Sequence, residues 1–143
     1  MTKVDFYILA DGAQGNRYTL ACRLAEKAWQ RGRRVYIHTP SAEESRHLDR
    51  LLWTYREAGF VPHGLYPEAD PALNPILIGH GGEPGDEHDV LINLHPEAPP
   101  FFSRFERLLE PIDHEEAARK AGRVRWSFYK ARGYPLESHT LAS

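Results

Sequence analysis

VDFYILADGAQGNR, residues 4–17, decides the fold. Val4 to Ala10 is a short apolar run closed by Asp11-Gly12, the pattern of a buried strand. Beyond the turn, Arg17 to Arg31 reads as a helix. Ala21, Leu24, Ala25 and Ala28 share one face, and Gly32 supplies the stop. A buried strand that passes through a tight turn into an amphipathic helix is the first unit of an α/β sheet, and it has the layout of a phosphate-binding turn. DGAQGNR carries neither GxGxxG nor GxxxxGK[ST], however, so it reads as a plain strand-to-helix connection. A small nucleotide-dependent enzyme would have to bind its nucleotide at this turn.

The units that follow repeat the alternation. RVYIHT (34–39) is a strand. Ser41 to Glu44 form a capping box that opens a helix with Leu48, Leu51, Leu52 and Tyr55 facing inward, ended by Gly59. ILIG (76–79) and DVLINL (89–94) are further strands, joined by the solvated turn HGGEPGDEHD. A helix near Phe101 to Arg107, a last strand in LLEPI and a closing helix from about His114 to Arg132 complete the pattern. The expectation is an open, largely parallel twisted sheet with helices on both faces, in one domain spanning 1–143.

Composition narrows function. The chain is 41% hydrophobic and 27% charged, ordinary for a globular protein. No run approaches the roughly 20 apolar residues of a membrane span, and MTKVDFYILADG lacks a signal-peptide layout. The single cysteine, Cys22, fits a reducing cytoplasm. The eight histidines are scattered without HxH or HxxxH, a weak basis for zinc. No GxSxG or Ser/His/Asp motif appears, and the paired carboxylates sit in caps and loops.

Net charge of −2 hides an asymmetry. Phe60 to Ala98 holds seven acidic residues and no Lys or Arg, whereas His114 to Tyr134 holds six basic residues against two acidic ones. On a helical wheel, Arg123, Trp126 and Lys130 lie within about 40° of Arg119, and Ala117, Ala121, Val124 and Phe128 form the opposite, core-facing side. Two readings of Trp126 follow: it packs under a neighbouring loop, or it stands beside the arginines as part of a binding surface. Two guanidinium groups can fork onto a carboxylate while the indole lines an apolar seat. That suits an acidic peptide ending in a hydrophobic residue, or a base of single-stranded nucleic acid.

Several segments together resemble a known family: VDFYILADG, AWQRGRRVYIHT, DRLLWTY followed by FVPHGL, DVLINL and RVRWSFYKARGYPL. Their order and spacing, from about Lys3 to Thr140, are similar to the chi subunit of bacterial DNA polymerase III. The most specific marks are Leu52-Trp53 with Phe60-Val61-Pro62-His63, and RxRWxxYKxxGY from Arg123 to Tyr134. The resemblance implies a noncatalytic, cofactor-free accessory subunit with a nucleotide-binding-like fold. It implies a grip on the acidic, hydrophobic-ended tail of single-stranded DNA-binding protein, and through it indirect contact with DNA. It also implies a link to the replicase clamp loader through psi where a psi subunit exists. Carried over by position, the tail site corresponds to Arg119, Arg123 and Trp126, with Lys120 and Arg125 as supporting charge. Ser127 stands where some relatives have a basic residue. The psi-facing surface corresponds to Trp53, Phe60, Val61, Pro62 and His63. Pro62 keeps this segment out of a central ladder, so two readings stand: Phe60 and Val61 lie at the surface as an apolar anchor, or Phe60 closes the bottom of the core. The alternative is direct binding of single-stranded nucleic acid by the basic C-terminal helix.

Overall fold

In the computed structural model, which describes residues 1–54 and 61–142, the alternation read from the sequence appears as β1 (Lys3–Leu9), α1 (Arg17–Gln30), β2 (Val35–Thr39) and α2 (Ala42–Thr54). It continues with β3 (His63–Leu65), β4 (Ile76–His80), β5 (Val90–Asn93), β6 (Arg107–Ile112), α3 (Glu116–Ala131) and β7 (Leu136–Leu141). All seven strands are parallel, in the order β3-β4-β2-β5-β6-β1-β7. Parallel strands need crossovers, and helices laid over both faces are the usual solution. α1 and α2 cover one face with Leu20, Leu24, Leu48 and Leu52, against Val35, Ile37, Ile76, Ile78, Val90 and Ile92. The alternate strand positions Tyr36, Leu77, Leu91 and Leu108 face the other side, where Phe102, Phe105 and Tyr129 cover them.

The connections are locally determined. The Asn16 side chain accepts from the Tyr18 and Thr19 amides at 2.9 Å and caps α1. Ser41 accepts from the Glu44 amide at 3.2 Å, as the capping box requires. At the β1–α1 turn, Asp113 Oδ2 accepts from the Arg17 amide at 2.9 Å. The helix start that a phosphate loop would present thus already carries a protein carboxylate.

Three expectations change. Only a 3-10 turn, Phe102–Arg104, stands where a helix over 101–107 was expected. Phe101, Phe102 and Phe105 are all buried there, and β6 begins at Arg107, which leaves no room for a helix running to 107. The edge strands β3 and β7 were not expected, since HGL and LESHTL lack an apolar run. Tyr55 and Gly59 lie outside the described residues. On α3 the buried residues are Gly122, Arg125 and Tyr129, while Val124 is 66% exposed. The core side is therefore rotated about a quarter turn from the Ala117–Val124–Phe128 stripe.

A close approach within the sheet gives a first expected result. A Cβ on Gly79 in β4 would lie 2.0 Å from Tyr36 Oη and 2.9 Å from its Cζ. Tyr36 is 2% exposed, with its ring edge-on to Tyr66 and Phe101, so it has little room to yield. Gly79→Ala will cost about 1–3 kcal/mol in urea unfolding, as overpacked cores do, whereas Gly82→Ala, in open space, will stay close to the parent.

Candidate functional site

α3 leans across the β6–β1–β7 edge of the sheet, and the space beneath one side of it is a groove of about 480 Å³. Gly122 permits the approach, because a Cβ there would lie 2.9 Å from Ile112 Cδ1. Phe6 and Ile8 of β1 and Ile112 of β6 supply apolar walls, Ser138 and Thr140 of β7 a polar rim, and Arg119, Arg123 and Trp126 the α3 side. The wheel grouping of those three residues therefore holds in three dimensions. Trp126 is half-buried with its ring edge-on to Phe6 at 5.2 Å, so it both packs and lines the groove.

The two arginines differ in freedom. Arg119 Nε donates to the Asp113 carbonyl at 3.2 Å, and its Nη2 donates to the Leu9 carbonyl at 3.3 Å and to Asp11 Oδ1 at 3.0 Å. Its guanidinium is fixed in place, and its carboxylate partner, Asp11, has a side chain 92% exposed. Arg123 is exposed and forms no hydrogen bond or ion pair among the described residues. A fixed guanidinium, a free one and an indole over an apolar floor can hold a carboxylate whose neighbouring side chain is hydrophobic. Lys120 is exposed one residue along α3, outside the groove lining, and Ser127 is exposed but also outside it.

Arg125 does not belong to this surface. It is 6% exposed, its Nε donates to Glu110 Oε1 at 3.1 Å and its Nη1 donates to the Pro96 carbonyl at 2.7 Å. Glu110 is fully buried and also accepts from Tyr129 at 2.6 Å and Asn93 at 3.2 Å. Burial pushes the Glu110 carboxyl above the ordinary range, with Arg125, Tyr129 and Asn93 pulling it back. The supporting charge expected at Arg125 is thus committed to anchoring α3.

The second predicted surface is only partly exposed. Trp53, at the end of α2, is 59% exposed, and Pro62 is half-buried. Val61 is fully buried in the core beside Leu48 and Leu52, which corrects its expected place as a surface anchor. His63 is also buried, edge-on to Trp53 at 5.2 Å, with Nε2 3.1 Å from the Asp49 carbonyl. An edge strand starting at His63 draws both residues inward. Phe60 lies outside the described residues.

For a metal, Asp5, Glu137 and His139 bring donor atoms within 4.8 Å of one another. Arg107 Nη2 is 2.6 Å from Asp5 and Lys3 Nζ is 3.5 Å from Glu137, so the cluster is already neutralised by cations. Burial raises the Asp5 carboxyl, but hydrogen bonds from His139 and Arg107 outweigh it and hold the group below the usual range.

Comparison with known proteins places the chain in a family. The family described as DNA polymerase III chi subunit, HolC, matches residues 1–137. DNA polymerase III subunit chi of Pseudomonas aeruginosa is 43% identical over 141 residues, 99% of this chain and 98% of that one. The chi subunit of Haemophilus influenzae is 30% identical over 96% of each chain, and that of Escherichia coli is 27% identical over 98% and 99%. The crystal structure of T4 UvsW has a similar fold, with TM-score 0.65 at 10% identity over 98% of this chain and 41% of that one. By its full-length likeness to these relatives, on an all-parallel α/β frame, the chain belongs to the DNA polymerase III chi subunit family and is a DNA replication protein.

Proposed function

We propose that this protein is a noncatalytic accessory subunit that grips the acidic C-terminal tail of single-stranded DNA-binding protein and ties it to the replicase. The observation that carries the reading is the groove beneath α3, where Arg119 and Arg123 flank an apolar floor capped by Trp126. A terminal carboxylate sits between the guanidiniums, with Arg123 supplying the free fork and Arg119 a preset one. The last hydrophobic side chain enters between Trp126, Phe6 and Ile112, and Lys120 faces acidic residues farther up the tail. Trp53 and Pro62 form the exposed part of a second surface, which takes psi and through it the clamp loader in hosts that make psi.

The test is titration calorimetry with a tail peptide, alongside the same peptide ending in an amide. The free acid will bind and the amide will bind at least about tenfold more weakly, since a charge-assisted contact contributes about 1.5–3 kcal/mol. Equal binding of the two peptides removes the carboxylate clamp. Asp11 supplies a further check. Because it occupies Arg119 at 3.0 Å, Asp11→Asn will tighten peptide binding about two- to fivefold, in proportion to the fraction of a kcal/mol an exposed ion pair contributes.

A further inference from the structure

The opposite face of the same sheet edge carries a second groove, of about 180 Å³, between α1 and the strands β1 and β6. Arg23 and Lys27 of α1 and Arg31 at its C-cap line it, a row of cations that recurs every four residues, or about 6 Å of helix rise. Arg33, just before β2, and Arg107, at the start of β6, border it as well. Those two are neutralised, Arg33 by Asp89 and Glu106 and Arg107 by Asp5. Lys27 and Arg31 are not: both side chains are exposed and make no hydrogen bond or ion pair among the described residues. Like charges at i,i+4 repel along a helix, and the exposed Lys27 and Arg31 side chains take no part in the core. At the β1 side of the groove, Tyr7 stacks on His139 with centroids 4.7 Å apart and planes 20° apart, and the His139 side chain is 37% exposed. The acidic stretch between Glu68 and Glu87 lies in the loops around β3, β4 and the start of β5, on the other half of the sheet. A net charge of −2 therefore coexists with a locally positive groove.

We propose that the α1 groove is a second binding site, which takes the phosphodiester backbone of single-stranded nucleic acid and lets a base stack beside the Tyr7–His139 pair. A row of cations at regular spacing suits a chain of phosphates rather than one anion. Stacking on an aromatic pair tolerates any base, because every base presents a π-face. The position also fits: β1 and β7 contribute Phe6, Ile8, Ser138 and Thr140 to the α3 groove, and β1 contributes Tyr7 to this one, with His139 of β7 stacked on its ring. A strand held here lies one sheet thickness from the α3 groove. The site stands independently of the tail reading, which leaves DNA contact to the partner protein.

The experiment is fluorescence anisotropy of labelled oligothymidylate with the full chain, at low and at physiological salt. Binding will weaken with salt, with a log–log slope of about −1.4 to −2.1 for two or three phosphates. Lys27→Glu/Arg31→Glu will reduce affinity roughly tenfold or more and flatten the slope by about 1.4. The milder Lys27→Gln/Arg31→Gln will give an intermediate loss, and both variants will bind tail peptide like the parent. Arg123→Ala will leave oligonucleotide binding within about twofold. The proposal falls if the oligonucleotide fails to bind at low salt, or if Arg123→Ala abolishes binding while the α1 variants do not. It falls equally if polyglutamate, or duplex of the same length, binds the α1 groove as well as the single strand does.

Discussion

Arg125→Met will destabilise the protein by about 3–5 kcal/mol at neutral pH, the cost of leaving a buried charge without its partner. Glu110 is fully buried on β6, and Arg125 is the cation bonded to it, at 3.1 Å. Asn93 and Tyr129 also donate to it, but neither offsets the charge. Methionine fills much of the arginine stem's volume, so the loss reports charge rather than a cavity. The effect carries a pH signature with a definite sign. The folded-state carboxyl already lies above its ordinary 4.5 because of burial, and removing Arg125 raises it further. The folded variant then holds a proton that the unfolded chain releases. Its stability falls as pH rises from the unfolded value through the folded one, and it recovers as pH is lowered. Urea unfolding will therefore show the gap between variant and parent narrowing from pH 7.5 toward pH 5.5. Adding Glu110→Gln to Arg125→Met will restore more than half of the loss, since an amide oxygen still accepts from Tyr129 without a charge. A loss below about 1 kcal/mol in the single variant, or a gap that does not change with pH, would show that the pair does not anchor α3.

The same pair explains where the sequence could be read and where it misled. Strands β1, β2, β4, β5 and β6 announce themselves as apolar runs because both faces of a parallel sheet are buried. β7 has no such run: Glu137, Ser138 and Thr140 are exposed, as an edge strand permits. With β7 unread, the outer wall of the α3 groove could not be foreseen, although Arg119, Arg123 and Trp126 could. Arg125 and Val124 misled for the reverse reason. A wheel sorts by polarity and sends arginine outward, whereas Arg125 is turned inward by a carboxylate on a strand fifteen residues earlier. No local pattern records that pairing. The signal that was available is Glu110 itself, an acid set within the apolar strand RLLEPI, since a charge in a buried strand requires a partner. Val61 shows a similar limit, because Pro62 excludes a central strand but does not prevent the preceding residue from filling the core.

Arg123→Ala will weaken binding of the tail peptide by about 1.5–3 kcal/mol, or roughly 10- to 150-fold, because it removes the one unconstrained guanidinium at the groove. The effect should exceed that of Arg119→Ala at equal ligand, for a structural reason. Arg119 already spends its donors on the Leu9 and Asp113 carbonyls and on Asp11, so an incoming carboxylate gains less from it and must compete with Asp11. Arg123 meets the ligand with all its donors free and has only solvent to lose. Since Arg123 is exposed and unpaired, its removal leaves the fold intact, and unfolding midpoints should agree within about 0.5 kcal/mol. Trp126→Ala serves as the contrasting variant. It removes the apolar cap and the ring contact with Phe6, so it will lower both affinity and stability, and it will weaken free-acid and amide peptides alike. Arg123→Ala, by comparison, will act on the free acid and barely on the amide, closing most of the difference between the two. Calorimetry of both peptides against both variants reads this pattern directly. If Arg123→Ala binds the free acid like the parent, the terminal carboxylate does not sit on α3. A loss shared equally by acid and amide would instead make Arg123 a contact for acidic side chains farther up the tail.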